Sequence, residues 1–168
     1  MNRWLVKEEP THYSFSDLVR DGKVAWTGVH NPLAQRYLRS MKPGDRVLYY
    51  HTGMERSVVG VASVGSPPYP DPGDPRGAFA VDLNADRPLP RPVTLAEIRA
   101  DPELGELALV RISRLSVMPV TTAQWKRVES HAARAAAGDP VAAAGRQGRV
   151  RGSRSSQRRT RARSSGAV

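Results

Sequence analysis

Residues 45–51 (DRVLYYH) and 57–64 (SVVGVASV) are two runs rich in β-branched and aromatic residues, joined by the short stretch Thr52-Gly53-Met54-Glu55-Arg56. Such runs on either side of a glycine-containing turn predict a β-hairpin. Gly60 interrupts the second run, and a residue without a Cβ inside a strand marks a bulge or a close approach by another element. Just before the hairpin, Asn31-Pro32 opens the clearest helix in the chain. Asn31 suits the N-cap and Pro32 the first helical position, and Ala34, Tyr37, Leu38 and Met41 recur at helical spacing. Pro43-Gly44 ends it.

Working outward, residues 3–7 (RWLVK) predict a strand, and residues 13–22 (YSFSDLVRDG) a short helix capped by Ser14 with Asp17 at its third position. Residues 66–77 hold five prolines and predict an irregular surface loop. Residues 78–83 (AFAVDL) read as a strand, 88–93 as a proline-rich connector, and Thr94 with Glu97 as the capping box of a helix ending at Ala100. A further strand is expected within 107–117 (LALVRISRLSV), then a last helix from Thr121 or Thr122 carrying Trp125, Val128 and Ala132. The order lacks a βαβ rhythm. It predicts the α+β class: about five or six mixed strands in a small curved sheet or partial barrel, flanked by short helices.

The 168-residue chain carries a formal charge of +10, unevenly placed. Residues 141–168 contain eight arginines (Arg146, Arg149, Arg151, Arg154, Arg158, Arg159, Arg161 and Arg163) and no acid, so the remaining residues are nearly neutral. A basic groove spread over the whole domain is excluded, and a sequence-independent grip on phosphates is expected from this segment. Residues 138–168 are small and polar with hardly a large apolar side chain, which predicts a disordered basic tail behind a domain at 1–137. The absence of cysteine excludes disulfides, thiolate metal sites and a cysteine nucleophile. The four histidines show no metal-ligand spacing, so no metal or other cofactor is expected. No apolar stretch is long enough for a membrane span and residues 1–4 show no signal-peptide pattern; the expectation is a soluble, cytoplasmic monomer.

All five tyrosines and two of the three tryptophans lie in the first 70 residues, where a site is to be sought. Trp26 lies outside any helical stripe, with polar Thr27, His30 and Asn31 close behind it. Two readings fit it: a core residue, or a flat platform on which a base stacks. Asn31 likewise has two readings, helix cap or reader of a base edge, since an amide donates and accepts at once. Strand alternation sends Tyr49 and His51 to one face and Tyr50 to the other, without saying which face is core. Lys7-Glu8-Glu9 alternates charge at a strand end: a solvated loop, or a lysine that reaches a phosphate or holds a carboxylate.

The series Trp4-Leu5-Val6-Lys7-Glu8-Glu9-Pro10, Trp26-Thr27-Gly28-Val29-His30-Asn31, Met41-Lys42-Pro43-Gly44-Asp45, Tyr49-Tyr50-His51-Thr52, Val59-Gly60-Val61-Ala62 and Leu115-Ser116-Val117-Met118-Pro119 resembles the EVE domain family. That family belongs to the PUA-like superfamily, is related to the YTH readers and includes the thymocyte nuclear proteins. The resemblance runs from about Trp4 to Val128. It implies a PUA-like pseudobarrel with a pocket for one modified base flipped out of DNA or RNA, in proteins not known as enzymes. It places Trp26 as a pocket wall, Lys7 and Asn31 at family positions, and Tyr13, Thr27, His30, Tyr50, His51, Leu115 and Ser116 in segments around the pocket. Two departures stand out: Glu8 where the family usually has serine, and His30 where it usually has arginine. Losing a permanent cation and gaining a carboxylate favours a methylated over a carboxylated base.

The expected function is therefore a non-catalytic module that binds a modified, methylated base in nucleic acid. The rival reading is an RNA- or nucleotide-modifying enzyme using His51 or His30 as base with Asp17 or Asp45 as partner, although no nucleophile, metal or phosphate-loop motif supports it. A third is an accessory RNA-binding subunit of a modification system.

Overall fold

The computed structural model describes residues 1–136, so the basic-tail residues and their eight arginines lie outside the described residues. Seven strands and five short helices follow one another: β1 (Arg3–Glu8), α1 (Phe15–Asp21), β2 (Lys23–Trp26), α2 (Pro32–Arg39), β3 (Arg46–His51), β4 (Ser57–Val64), β5 (Tyr69–Pro70), β6 (Phe79–Thr94), α3 (Leu95–Ala100), α4 (Ala108–Arg111), β7 (Val117–Pro119) and α5 (Thr122–Ala136). Six strands form one curled half-barrel in the order β2-β6-β4-β3-β1-β7, and the two-residue β5 pairs with β6 alone. Only β1 and β3 run parallel; every other pairing is antiparallel. The expected α+β class is what forms.

Local chemistry explains the helices. The Ser14 hydroxyl accepts from the Asp17 N–H and the Asp17 carboxylate accepts from the Ser14 N–H, which closes a capping box at α1. The Asn31 carboxamide oxygen accepts from the Leu33 and Ala34 N–H groups, with Pro32 at the first position of α2. Thr94 and Glu97 repeat the capping box at α3. A buried carboxylate then docks α2 against β1. Asp45 accepts from the Asn2 and Lys42 N–H groups and, at 2.9 Å, from the Trp4 indole.

Gly60 is both a bulge and a close approach. The β4–β6 register shifts between Val58 and Gly60, and a Cβ at Gly60 would lie 2.4 Å from the Phe15 ring. Phe15, the first residue of α1, is therefore seated on bare backbone.

Two expectations need correction. Residues 88–93 are not a connector: they continue the 16-residue β6, which runs from its pairing with β2 to the start of α3. Leu89 and Val93 point inward while Pro88, Pro90 and Pro92 stay exposed, the period of a strand with one solvated face. Residues 89–92 have no partner on β4, so the missing N–H groups of Pro90 and Pro92 fall in a bulge and break no ladder. The strand sought within 107–117 begins only at Val117. Leu107 and Leu109 are buried on a helical turn, where the Ile112 N–H returns to the Ala108 carbonyl.

Behind β6, α5 is tied down by Asp101, whose Oδ2 accepts from Arg127 at 2.5 Å and meets His131 Nε2 at 2.6 Å. Burial alone would raise the Asp101 pKa, but these hydrogen bonds and the one from the Glu103 N–H outweigh it and hold the carboxyl at about 2. A carboxyl held below its unfolded value stabilises the fold above that value, and the contribution is lost as the pH falls through the folded one.

Two outcomes are expected. Gly60→Ala pushes against the Phe15 ring and lowers stability by about 1–3 kcal/mol in urea unfolding, with part regained when Phe15 is also changed to Leu. Wild-type stability drops between about pH 4 and pH 2, and the drop is smaller in Asp101→Asn, whose stability at neutral pH is already reduced.

Candidate functional site

Glu8 ends β1, and the chain then doubles back through a turn in which the His12 and Tyr13 N–H groups both bond to the Glu9 carbonyl. This turn brings His12 and Tyr13 to the outer end of β2. Between them and Val24, Ala25, Trp26 and Thr27 lies a cavity of about 200 Å³, with Glu8 also in its wall.

Trp26 unites the two readings that its sequence context left open. It is only 6% exposed and belongs to the core, yet it lines the cavity. Its ring meets that of fully buried Tyr49 edge to face at 5.5 Å. Its indole N–H has no hydrogen-bond partner among the described residues. Tyr13 is held in place by its hydroxyl, which donates to Asp21 at 2.8 Å. Burial, together with that carboxylate, pushes the phenol up to about 12, so it stays a neutral wall.

Glu8 supplies the anionic group of the cavity. Its Oε1 accepts from the Glu9 N–H at 2.9 Å and meets His12 Nδ1 at 3.1 Å. Its Oε2 has no partner among the described residues and is free to accept. The sequence shows Glu8 as part of a charge cluster at a strand end and as a departure from the family pattern, and gives His12 no place. Strand alternation is the available signal: Glu8 must face away from Lys7.

The structure thus gathers Trp26, Tyr13 and Thr27 from the expected residues and disperses the others. Lys7 and Tyr50 line a second cavity across β1. His30 is in a third, paired with Asp74 at 2.9 Å. Asn31 is the exposed cap of α2. Leu115 is core, and the Ser116 carbonyl extends the β1–β7 pairing by accepting from the Lys7 N–H.

His51 is buried between elements. Its Nε2 accepts from the Phe15 N–H at 3.0 Å, which fixes the proton on Nδ1, where it donates to Glu55 at 2.6 Å. The lone pair a general base needs is already engaged. The acids considered as its partners are engaged too: Asp17 in the α1 cap and Asp45 beneath Trp4. Among the described residues, no three His, Cys, Asp or Glu side chains are grouped to hold a metal ion, and no helix is long and apolar enough to cross a membrane.

Comparison with known proteins gives this geometry its context. Human thymocyte nuclear protein 1 is 26% identical over 165 residues, covering 77% of this chain and 73% of that protein. A protein of Rhodopseudomonas palustris solved by NMR is 43% identical, with a TM-score of 0.76 over 80% of this chain and 94% of its own. Human THYN1, solved in complex with 5-methylcytosine-containing DNA, is 24% identical, with a TM-score of 0.72 over 79% of this chain and 98% of its own; it shares the PUA-like fold. The EVE domain model matches residues 2–131, and the chain belongs to the EVE domain family.

Proposed function

We propose that this chain is a non-catalytic reader of a methylated base, which enters the Trp26 cavity after leaving its strand. The observation that carries this is the pairing, in one cavity, of a rigid aromatic and apolar wall with an open carboxylate oxygen. Trp26, Val24 and Ala25 offer surface against which a base and its methyl group are desolvated. Glu8 Oε2 accepts from an exocyclic amine, the contact by which carboxylates read the N4 amine of cytosine. The THYN1 complex makes 5-methylcytosine the first base to test. The engaged lone pair of His51 supports this reading over a nucleotide-modifying enzyme that uses it as base. In the same reading, the arginines between Arg146 and Arg163 contact phosphates without regard to sequence.

Fluorescence anisotropy with oligonucleotides carrying a single 5-methylcytosine or cytosine tests the pocket. Burial of one methyl group predicts about a fivefold preference for the methylated strand. Trp26→Phe narrows that preference while circular dichroism stays native; Trp26→Ala is the poorer test, because removing so buried a ring costs about 3–5 kcal/mol. Equal affinity of the wild type for both strands sinks the reading.

Changing the eight arginines of residues 141–168 to glutamine separates affinity from selectivity. The slope of log affinity against log salt becomes shallower by about 0.9 for each duplex phosphate that is no longer neutralised, and the methyl preference is unchanged.

A further inference from the structure

Lys7 and Glu8 are neighbours in β1 and line different cavities, one on each side of the strand. The base-reading proposal leaves the Lys7 side unused. There a cavity of about 230 Å³ is bounded by Lys7, Tyr50 opposite it on β3, Arg56 in the β3–β4 turn and Arg99 on α3. These cations come from separate elements, and no carboxylate among the described residues lines the cavity.

The Glu9 carboxylate packs against Gly53 at the edge of the cavity, and it and the other acids of the surrounding segments have partners of their own. Glu9 accepts from the Thr52 hydroxyl, Glu55 holds His51, and Glu97 holds Arg91. The cations keep most of their donors. Lys7 Nζ donates once, to the Ser113 carbonyl at 2.7 Å, and Arg56 Nε once, to the Gly53 carbonyl at 3.2 Å. The Arg99 guanidinium has no partner among the described residues.

Two further observations point to a ligand. Tyr50 is only 3% exposed and lines the cavity, yet its hydroxyl has no hydrogen-bond partner among the described residues. Arg56 has φ of 41°, the one non-glycine residue with positive φ among those described. Such strain at a long charged side chain collects at functional sites, where glycine would otherwise be the relaxed choice.

We propose that this second cavity binds a phosphate group. Two guanidinium forks, an ammonium and a phenolic donor among the residues that line one space match the several oxygens and the charge of a phosphate, where one lysine alone would offer a point charge. Leu95, Leu109 and the Tyr50 ring give an apolar wall to whatever the phosphate carries. Two sources share this chemistry: a phosphate of the nucleic acid strand and a free nucleotide. The inference does not rest on the base-reading proposal, because it uses other residues on the other side of β1.

The test is isothermal titration of the full chain with inorganic phosphate, a nucleoside monophosphate, and oligonucleotides with and without a 5′-phosphate. Wild type is compared with Arg99→Gln and Arg56→Gly. At least one of these ligands is expected to bind the wild type about tenfold more tightly than either variant, the worth of one charge-assisted hydrogen bond. Arg56→Gly relaxes a left-handed backbone, so its melting temperature holds or rises while its affinity falls. The same dependence with the mononucleotide assigns a small-molecule ligand; dependence with the oligonucleotides alone assigns a strand phosphate. No binding, or equal affinity of all three proteins for every ligand, overturns the proposal, since the arginine-rich segment is common to them all.

Discussion

Tyr49 is completely buried where the sheet meets the Trp26 cavity, and its contacts fix the elements around it. Its ring lies 5.5 Å from Phe15, 5.5 Å from Trp26 and 5.7 Å from His51. Its hydroxyl donates to the Tyr13 carbonyl at 2.8 Å, and burial drives the phenol pKa far upward, so the hydroxyl remains a donor across the working range of pH. Through it one side chain of β3 sets the height of α1, the position of the Tyr13 segment and the tilt of Trp26. Gly60 completes the arrangement on the neighbouring strand by leaving room for the Phe15 ring. His51 locks it from the other side through the Phe15 N–H.

The parallel pairing of β1 with β3 has a second consequence. Register opposes Lys7 to Tyr50 and Glu8 to His51, so adjacent residues of opposite charge are delivered to opposite sides of the sheet. Lys7 and Tyr50 share a cavity ringed by cations, whereas Glu8 faces the aromatic wall. A nearly neutral domain therefore holds one anionic and one cationic recess only a strand apart. A base with an exocyclic amine suits the first and a phosphate the second. Net charge alone conceals both, because it sums charges over the whole domain and says nothing of where they lie.

Much of the local architecture is legible in the chain. The caps at Ser14, Asn31 and Thr94, the hairpin after Asp45 and the special place of Gly60 follow from short-range chemistry that operates within a turn or two. The proline-rich half of β6 is hidden because proline argues against a ladder, while the alternation of Leu89, Arg91 and Val93 carries the weaker, correct signal. Residues 107–117 mislead for the opposite reason. Their apolar density suggests a strand, but Leu107 and Leu109 are buried most readily on a local helical turn.

By itself the sequence determined the α+β class, the helix caps at Ser14, Asn31 and Thr94, the hairpin and the EVE family pattern, since each rests on spacing along the chain or on a residue's own conformational limits. Only the tertiary structure decided which residues share a cavity. It turned His51 from a candidate base into an acceptor for the Phe15 N–H, and Asn31 into a helix cap. It separated Lys7 and Tyr50 from Trp26, raised Glu8 to a pocket residue, and joined Arg56 and Arg99 to Lys7 across distant positions. Hydrogen-bond capacity is finite and strand faces alternate, so a side chain's chemistry is settled only when its partners and its side of the sheet are known.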